Sequence, residues 1–156
     1  MSGRWLRVAA WQYPIEHLTS FDAWRAKVAA GIAEASARGA ALVVVPEYAS
    51  MELTSLLPAA AQRELAAQLV ELQPLLPEYH ATYAELAHRH RVAIVAGSAP
   101  ERVGAEYRNR LRVHGSGPDR GPGDGEAVVV EKLQMTRFER ERWHVAGGAG
   151  QTVIDL

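Results

Sequence analysis

The sequence contains no cysteine. Within its 156 residues that excludes disulfides, thiolate metal centres and a cysteine nucleophile. A dominant charge is missing too: 17 lysines and arginines face 18 acidic residues, for a net charge of -1. There is thus no broad electrostatic reason to bind nucleic acid or an anionic membrane. No apolar run approaches the ~20 residues that span a bilayer. The N-terminal region carries Arg4 and Arg7 but not the continuous apolar segment of a signal peptide. These absences lead to the expectation of a cytoplasmic protein whose partner is a small molecule or another protein. No internal repeat is evident.

What is present is an apolar fraction of 48%, enough over 156 residues for one domain with a real core and too little chain for two. Residues 6–12 read as a first strand, apolar on both faces and expected to be buried, closed by Tyr13-Pro14. Thr19-Ser20-Phe21-Asp22 reads as a capping box, and Phe21, Trp24, Val28, Ile32 and Ala35 recur at helical spacing, which predicts a helix over 22–37 stopped by Gly39. Residues 41–45 follow as a buried strand, so the opening is a strand–helix–strand crossover with parallel neighbours. Pro58 is expected to open a helix running to Leu72, and Pro74 and Pro77 to break it before a third helix carrying Tyr79, Tyr83, Leu86 and His90. Residues 92–96 predict a third buried strand, ended by Gly97-Ser98-Ala99-Pro100. Residues 107–114 and 127–131 then read as an antiparallel hairpin around a long Gly-rich tip at 115–125. The tail from Gly147 begins one more apolar strand, and the sequence looks cut inside it.

The candidate chemistry lies where strands stop. Glu47 directly follows Val43-Val44-Val45-Pro46, and Lys132 directly follows Val128-Val129-Val130-Glu131. Charges held at the end of a buried strand are partly desolvated, which favours pKa values moved toward neutrality and suits a general base and an oxyanion-stabilising cation. Taken alone, Glu47 is equally well a strand-end carboxylate that caps a neighbouring helix or faces water, and Lys132 is more often a solvated strand terminus. Glu139, among Arg137, Arg140, Glu141 and Arg142, taken alone reads as part of a solvated charged loop.

Their combination resembles the nitrilase, or carbon-nitrogen hydrolase, superfamily. Val8-Ala9-Ala10-Trp11-Gln12 is similar to that family's first strand, residues 39–47 to its second strand and base motif, Val95-Ala96-Gly97-Ser98 with Asn109 to its third strand and following asparagine, and residues 132–148 to its lysine loop. The resemblance covers essentially the whole chain, in order. It implies one domain over residues 1–156, forming the N-terminal half of a four-layer α-β-β-α sandwich: a mixed sheet with helices on one face. It further implies Glu47 as the base that activates a cysteine thiol, Lys132 as the group that stabilises the tetrahedral intermediate, and Glu139 as a second glutamate that positions substrate or water. Tyr48, Asn109, Arg137 and Trp143 are implied as substrate-binding residues. No cofactor and no metal is implied. The partner is a small amide, nitrile or N-carbamoyl substrate, and the complete protein is expected to form homo-oligomers.

The family's nucleophile is a cysteine at the end of the next core strand, after a segment like residues 152–156, so the sequence is expected to stop before reaching it and the chain alone to be inactive. No hydroxyl replaces it, since Ser50 follows the base and Thr136 lies in the lysine loop. Half a sandwich would leave an apolar sheet face exposed, which predicts aggregation, oligomerisation or a complementary segment. The alternative is a non-catalytic binding or regulatory module, or an inactive gene fragment, with Glu47 and Lys132 retained as a salt bridge. A metal site from His80, His88 and His90 is disfavoured, because residues two apart leave a helix on different sides. The tip at 115–125 lacks the lysine-serine/threonine ending of a phosphate loop. Trp5, Trp11, Trp24 and Trp143 read as core or loop anchors rather than a stacking platform. Arg137, Arg140 and Arg142 suit a carboxylate-bearing substrate or a solvated loop equally.

Overall fold

A computed structural model describes residues 5–115 and 127–154. Strand β1 (Val8–Ala10), helix α1 (Phe21–Ala37) and strand β2 (Leu42–Val44) form the expected crossover, with β1 and β2 parallel. Ser20 caps α1 by accepting a hydrogen bond from the Ala23 amide, and Gly39 leaves the helix at φ 79°, a region L side chains rarely adopt. Helices α2 (Leu65–Leu72) and α3 (Leu76–His90) precede strands β3 (Ala93–Val95), β4 (Ala99–Val103), β5 (Glu106–His114) and β6 (Val128–Glu131). A short helix α4 (Arg137–Glu141) and a two-residue strand β7 (Val145–Ala146) complete the described elements.

The strands make one mixed sheet in the order β1-β2-β3-β5-β4, with β6 and β7 also paired to β5. The hairpin expected around the Gly-rich tip is present as the antiparallel pair β5–β6. The tip itself, at 116–126, lies outside the described residues, as do the last two residues of the tail. Val43 and Ile94 enter a core with Trp24, Val28 and Ile32 of α1 and Tyr79, Tyr83 and Leu86 of α3. Because side chains alternate along a strand, Leu42, Val44 and Val95 point to the other face.

Several sequence expectations fail for identifiable reasons. β1 is not buried: it is the sheet's edge, and Val8 stands half-exposed. The helix expected from Pro58 begins only at Leu65: Ala61–Arg63 make a single 3-10 turn, Glu64 is extended, and the Gln62 side-chain amide donates to the carbonyls of Ser55 and Leu57. Residues Ala49–Leu56 form an unanticipated 3-10 helix. Gly97-Ser98-Ala99-Pro100 does not simply end β3, since Ala99 and Pro100 already belong to β4; an outer strand tolerates a proline that cannot donate to a ladder. Residues 151–154 form no strand, and Trp5 is fully exposed rather than an anchor.

The stretch after Tyr13 is pinned to the 3-10 helix by a buried network. The Glu52 carboxylate, wholly inaccessible, accepts from the Tyr13 hydroxyl, Lys27 and the Glu16 amide. A buried carboxylate is tolerated only with this degree of pairing.

Candidate active site

Four separated stretches meet at the ends of β2, β3 and β6. Lys132, whose own amide donates to the Asn109 carbonyl at 2.9 Å, projects from the end of β6. Its Nζ lies 2.8 Å from Glu47 Oε1 and donates to Glu139 Oε1 and Oε2 at 3.0 and 2.9 Å. Asn109 Nδ2 on β5 donates to Glu47 Oε1 at 2.8 Å. The Tyr48 hydroxyl donates to Glu139 Oε1 at 2.6 Å, and the Trp143 ring meets Tyr48 edge-on at 5.1 Å. Glu47, Lys132, Glu139, Tyr48, Asn109 and Trp143 are thus brought together. Arg137 is not: its side chain is 82% exposed and pairs with Glu141 one turn along α4.

The turn carrying Glu47 is held from behind. Tyr48 sits in the left-handed region at φ 57°, its amide donating to Ser98 Oγ at 2.9 Å, while Ser50 Oγ donates to the Ser98 carbonyl at 2.9 Å. Gly97 permits this approach: a Cβ there would come within 2.5 Å of Ala49 Cβ and 2.9 Å of the Pro46 carbonyl oxygen. On the other side Thr136 and Glu139 form a reciprocal capping box. The Thr136 amide donates to Glu139 Oε2 at 2.7 Å, and the Glu139 amide donates back to Thr136 Oγ1 at 3.2 Å. The sequence reading put Gly97 and Ser98 at a strand end without a part in holding the Glu47 turn, and passed over the cap. For the cap a signal existed in the T-x-x-E spacing of Thr136-Arg137-Phe138-Glu139.

The electrostatics differ from expectation. Glu47 is not desolvated, its side chain being 52% exposed, whereas Glu139, which reads alone as a solvated loop residue, is 4% exposed. Burial pushes the Glu139 pKa up, but hydrogen bonds from Tyr48, Lys132 and Thr136 outweigh it and bring it down to about 2. For Lys132 burial acts downward, and bonding to Glu47 and Glu139 reverses it, so its pKa is raised. Burial, then the bond to Glu139, raises the Tyr48 phenol. Shifts toward neutrality are therefore not what Lys132 and Glu139 show; opposite charges at hydrogen-bond distance win over desolvation. Glu139 is thus held as a carboxylate and Lys132 as an ammonium at neutral pH.

An apolar cleft of about 410 Å³ runs along the helix-free face past Val44, Val95, Leu111 and Val130 and reaches Glu47, Asn109 and Lys132. Among the described residues no group of three potential ligands could hold a metal ion. His88 is exposed on α3, and His80 lies at a different cleft. No described helix is long and apolar enough to cross a membrane.

The structure is thus a mixed α/β layer in which Glu47 and Lys132, at the ends of β2 and β6, meet Glu139 of α4. The chain belongs to the carbon-nitrogen hydrolase family, whose sequence model matches residues 7–118. Among solved structures it is similar to a carbon-nitrogen hydrolase from Helicobacter pylori G27, at 19% identity and TM-score 0.61, covering 92% of this chain and 45% of that one. It is also similar to a mutant amidase from Nesterenkonia sp. AN1 in complex with acrylamide, at 17% identity and TM-score 0.58, over 97% of this chain and 52% of that one. The NitFhit protein of C. elegans aligns at 18% identity and TM-score 0.55, over 91% of this chain and 33% of that one. No curated protein sequence matches the chain. The fold is that of part of a nitrilase-like sandwich, and the chain spans about half the length of the first two structures.

Proposed function

We propose that this chain supplies the base and electrostatic half of a carbon-nitrogen hydrolase site, acting on an amide, nitrile or N-carbamoyl substrate, with the nucleophilic thiol supplied by polypeptide outside these 156 residues. The observation that carries it is the bridging of Lys132 Nζ between Glu47 and Glu139 where the apolar cleft ends. For an amide, Glu47 takes the thiol proton and the sulfur bonds to the carbonyl carbon, whose π electrons move to oxygen. Lys132 faces the resulting oxyanion. Collapse expels the amine, protonated by Glu47, and water then cleaves the thioester with Glu47 again as base. Glu139 is saturated by Tyr48, Lys132 and Thr136, so its part is to orient the lysine rather than to move protons. Asn109 fixes the Glu47 carboxylate, and Trp143 with Tyr48 borders the substrate. In a mutant of the amidase from Nesterenkonia sp. AN1, acrylamide has been found added to the active-site cysteine, which supports a thiol as the nucleophile this half-site would serve.

The test is ammonia release from short aliphatic amides by a polypeptide joining this chain to the cysteine-bearing remainder. Glu47→Gln and Lys132→Met should each lower kcat by about a hundredfold or more with the fold intact. Near-normal turnover in either variant, or hydrolysis by the cysteine-free chain, would overturn the mechanism. A non-catalytic binding module is the second reading, favoured by the ready-made Glu47–Lys132 ion pair. It predicts amide binding without turnover even when the thiol is present.

A further inference from the structure

The opposite face of the sheet carries chemistry that the hydrolase site does not use. Helices α1 and α3 pack over β1–β3, and on the same side β5 presents Arg108, Arg110 and Arg112, balanced by Glu131 of β6 and Glu101 of β4. Between α3 and this charged surface lies a cleft of about 510 Å³. It is bordered by Ala81 and Ala84 of α3 and lined by His80, Glu101, Arg112 and His114, with the exposed Arg102 alongside.

Several of its polar groups are buried or half-buried, and they are incompletely matched. Glu101 and His114 are each 7% exposed. Arg112 Nη2 donates to Glu101 Oε2 at 2.9 Å, but Glu101 Oε1 has no aligned donor. His80 Nε2 comes within 2.8 Å of that oxygen without the alignment of a hydrogen bond. Arg112 Nε, His80 Nδ1 and His114 Nε2 also have no hydrogen-bond partner among the described residues. An unmatched buried polar atom costs about 1–3 kcal/mol, and native interiors hold few of them. Five such atoms on residues that line one cleft mark a place that receives a ligand.

The kind of ligand follows from the signs. Burial, with the neighbouring His80 and Arg112, lowers the His114 pKa to about 4, so this imidazole is neutral at pH 7 and contributes no charge. A simple anion would satisfy Arg112 Nε–H but lie against Glu101, while a simple cation would do the reverse. A molecule carrying both an ammonium and a carboxylate satisfies both. Its remaining side chain would meet Leu76, Pro77, Ala81 and Ala84, which form an apolar wall. We propose that this cleft is a binding site for a free amino acid with a small apolar side chain, its ammonium at Glu101 and its carboxylate at Arg112 and Arg102. The site lies across the sheet from Glu47 and stands independently of the hydrolase reading.

The experiment is calorimetric titration of the protein with L-valine, L-leucine, propionate and propylammonium at matched ionic strength, with NMR of the imidazole resonances in parallel. Saturable binding of the amino acids is expected, at least about tenfold tighter than either single-charge analogue. Glu101→Gln and Arg112→Met should each weaken it by about tenfold or more. His80 and His114 signals of the unaltered protein should move on addition of L-valine, a readout that does not depend on the variants folding. Absence of those shifts, affinity for propionate or propylammonium equal to that for valine, or undiminished binding in both folded variants would each overturn the proposal.

Discussion

At the residue scale the decisive group is Glu139, a carboxylate both buried and strongly acidic. Its pKa of about 2 in the folded state lies below the ordinary value of 4.5. A depressed acid contributes stability that is present above its unfolded pKa and lost as pH falls through the folded one. The contribution, on the order of 3 kcal/mol, should disappear between about pH 4.5 and 2, read by urea unfolding at fixed pH. In Glu139→Gln that part of the acid limb should flatten; an unchanged limb would mean that Glu139 is not held charged. His114 obeys the same sign rule at higher pH. Lowered from 6.5 to about 4, it should remain neutral in NMR titrations where exposed histidines already protonate, and its part of the stability should fade as pH drops from about 6.5 to 4.

At the scale of elements, the structure shows how much local pattern can and cannot reveal. The positions of Glu47 and Lys132 at strand ends are legible, because runs of valine bounded by a charge admit few other readings. So are α1, capped by the Ser20 hydroxyl though not by the reciprocal box its start suggested, and the β5–β6 hairpin. The environments of Glu47 and Glu139 are not legible, and their burial comes out reversed. Exposure at a strand end depends on what crosses it, and Glu139, itself in the helix that Thr136 caps, is covered by its bonds to Lys132 and to Tyr48, 91 residues away in sequence. Two substitutions test this layer. Thr136→Val should remove the cap, costing about 1 kcal/mol by thermal unfolding, and should let the Glu139 pKa rise. Gly97→Ala should cost about 1–3 kcal/mol, since its obstacles are backbone at Pro46, Ala49 Cβ and the buried Tyr79 hydroxyl. Gly31→Ala makes an even closer clash, 2.3 Å, but with the partly buried Trp11 ring, which can turn aside. The measured order should therefore be Gly97→Ala more damaging than Gly31→Ala, and the reverse order would show that the turn behind Glu47 is not tightly held.

At the scale of the whole molecule, the sheet divides two kinds of surface. Its helix side is apolar over β2 and β3 and charged over β5, while its other side is apolar from β2 through β6: Leu42, Val44, Val95, Leu111, Val128 and Val130. The alternation is written directly in β5, where Arg108, Arg110 and Arg112 point one way and Asn109, Leu111 and Val113 the other. Most of these apolar residues are only partly buried among the described residues. A contiguous surface of that kind, larger than isolated apolar side chains, favours covering by other polypeptide. The 156-residue chain on its own should therefore bind a hydrophobic dye and self-associate in a concentration-dependent way by sedimentation. Val44→Lys combined with Val130→Glu should reduce both effects while far-UV circular dichroism stays unchanged, because neither residue belongs to the core beneath α1 and α3. If the doubly charged variant unfolds instead, those valines support the layer itself; if it self-associates as strongly as the parent, the association runs through another surface, with the exposed edge strand β1 the next to block.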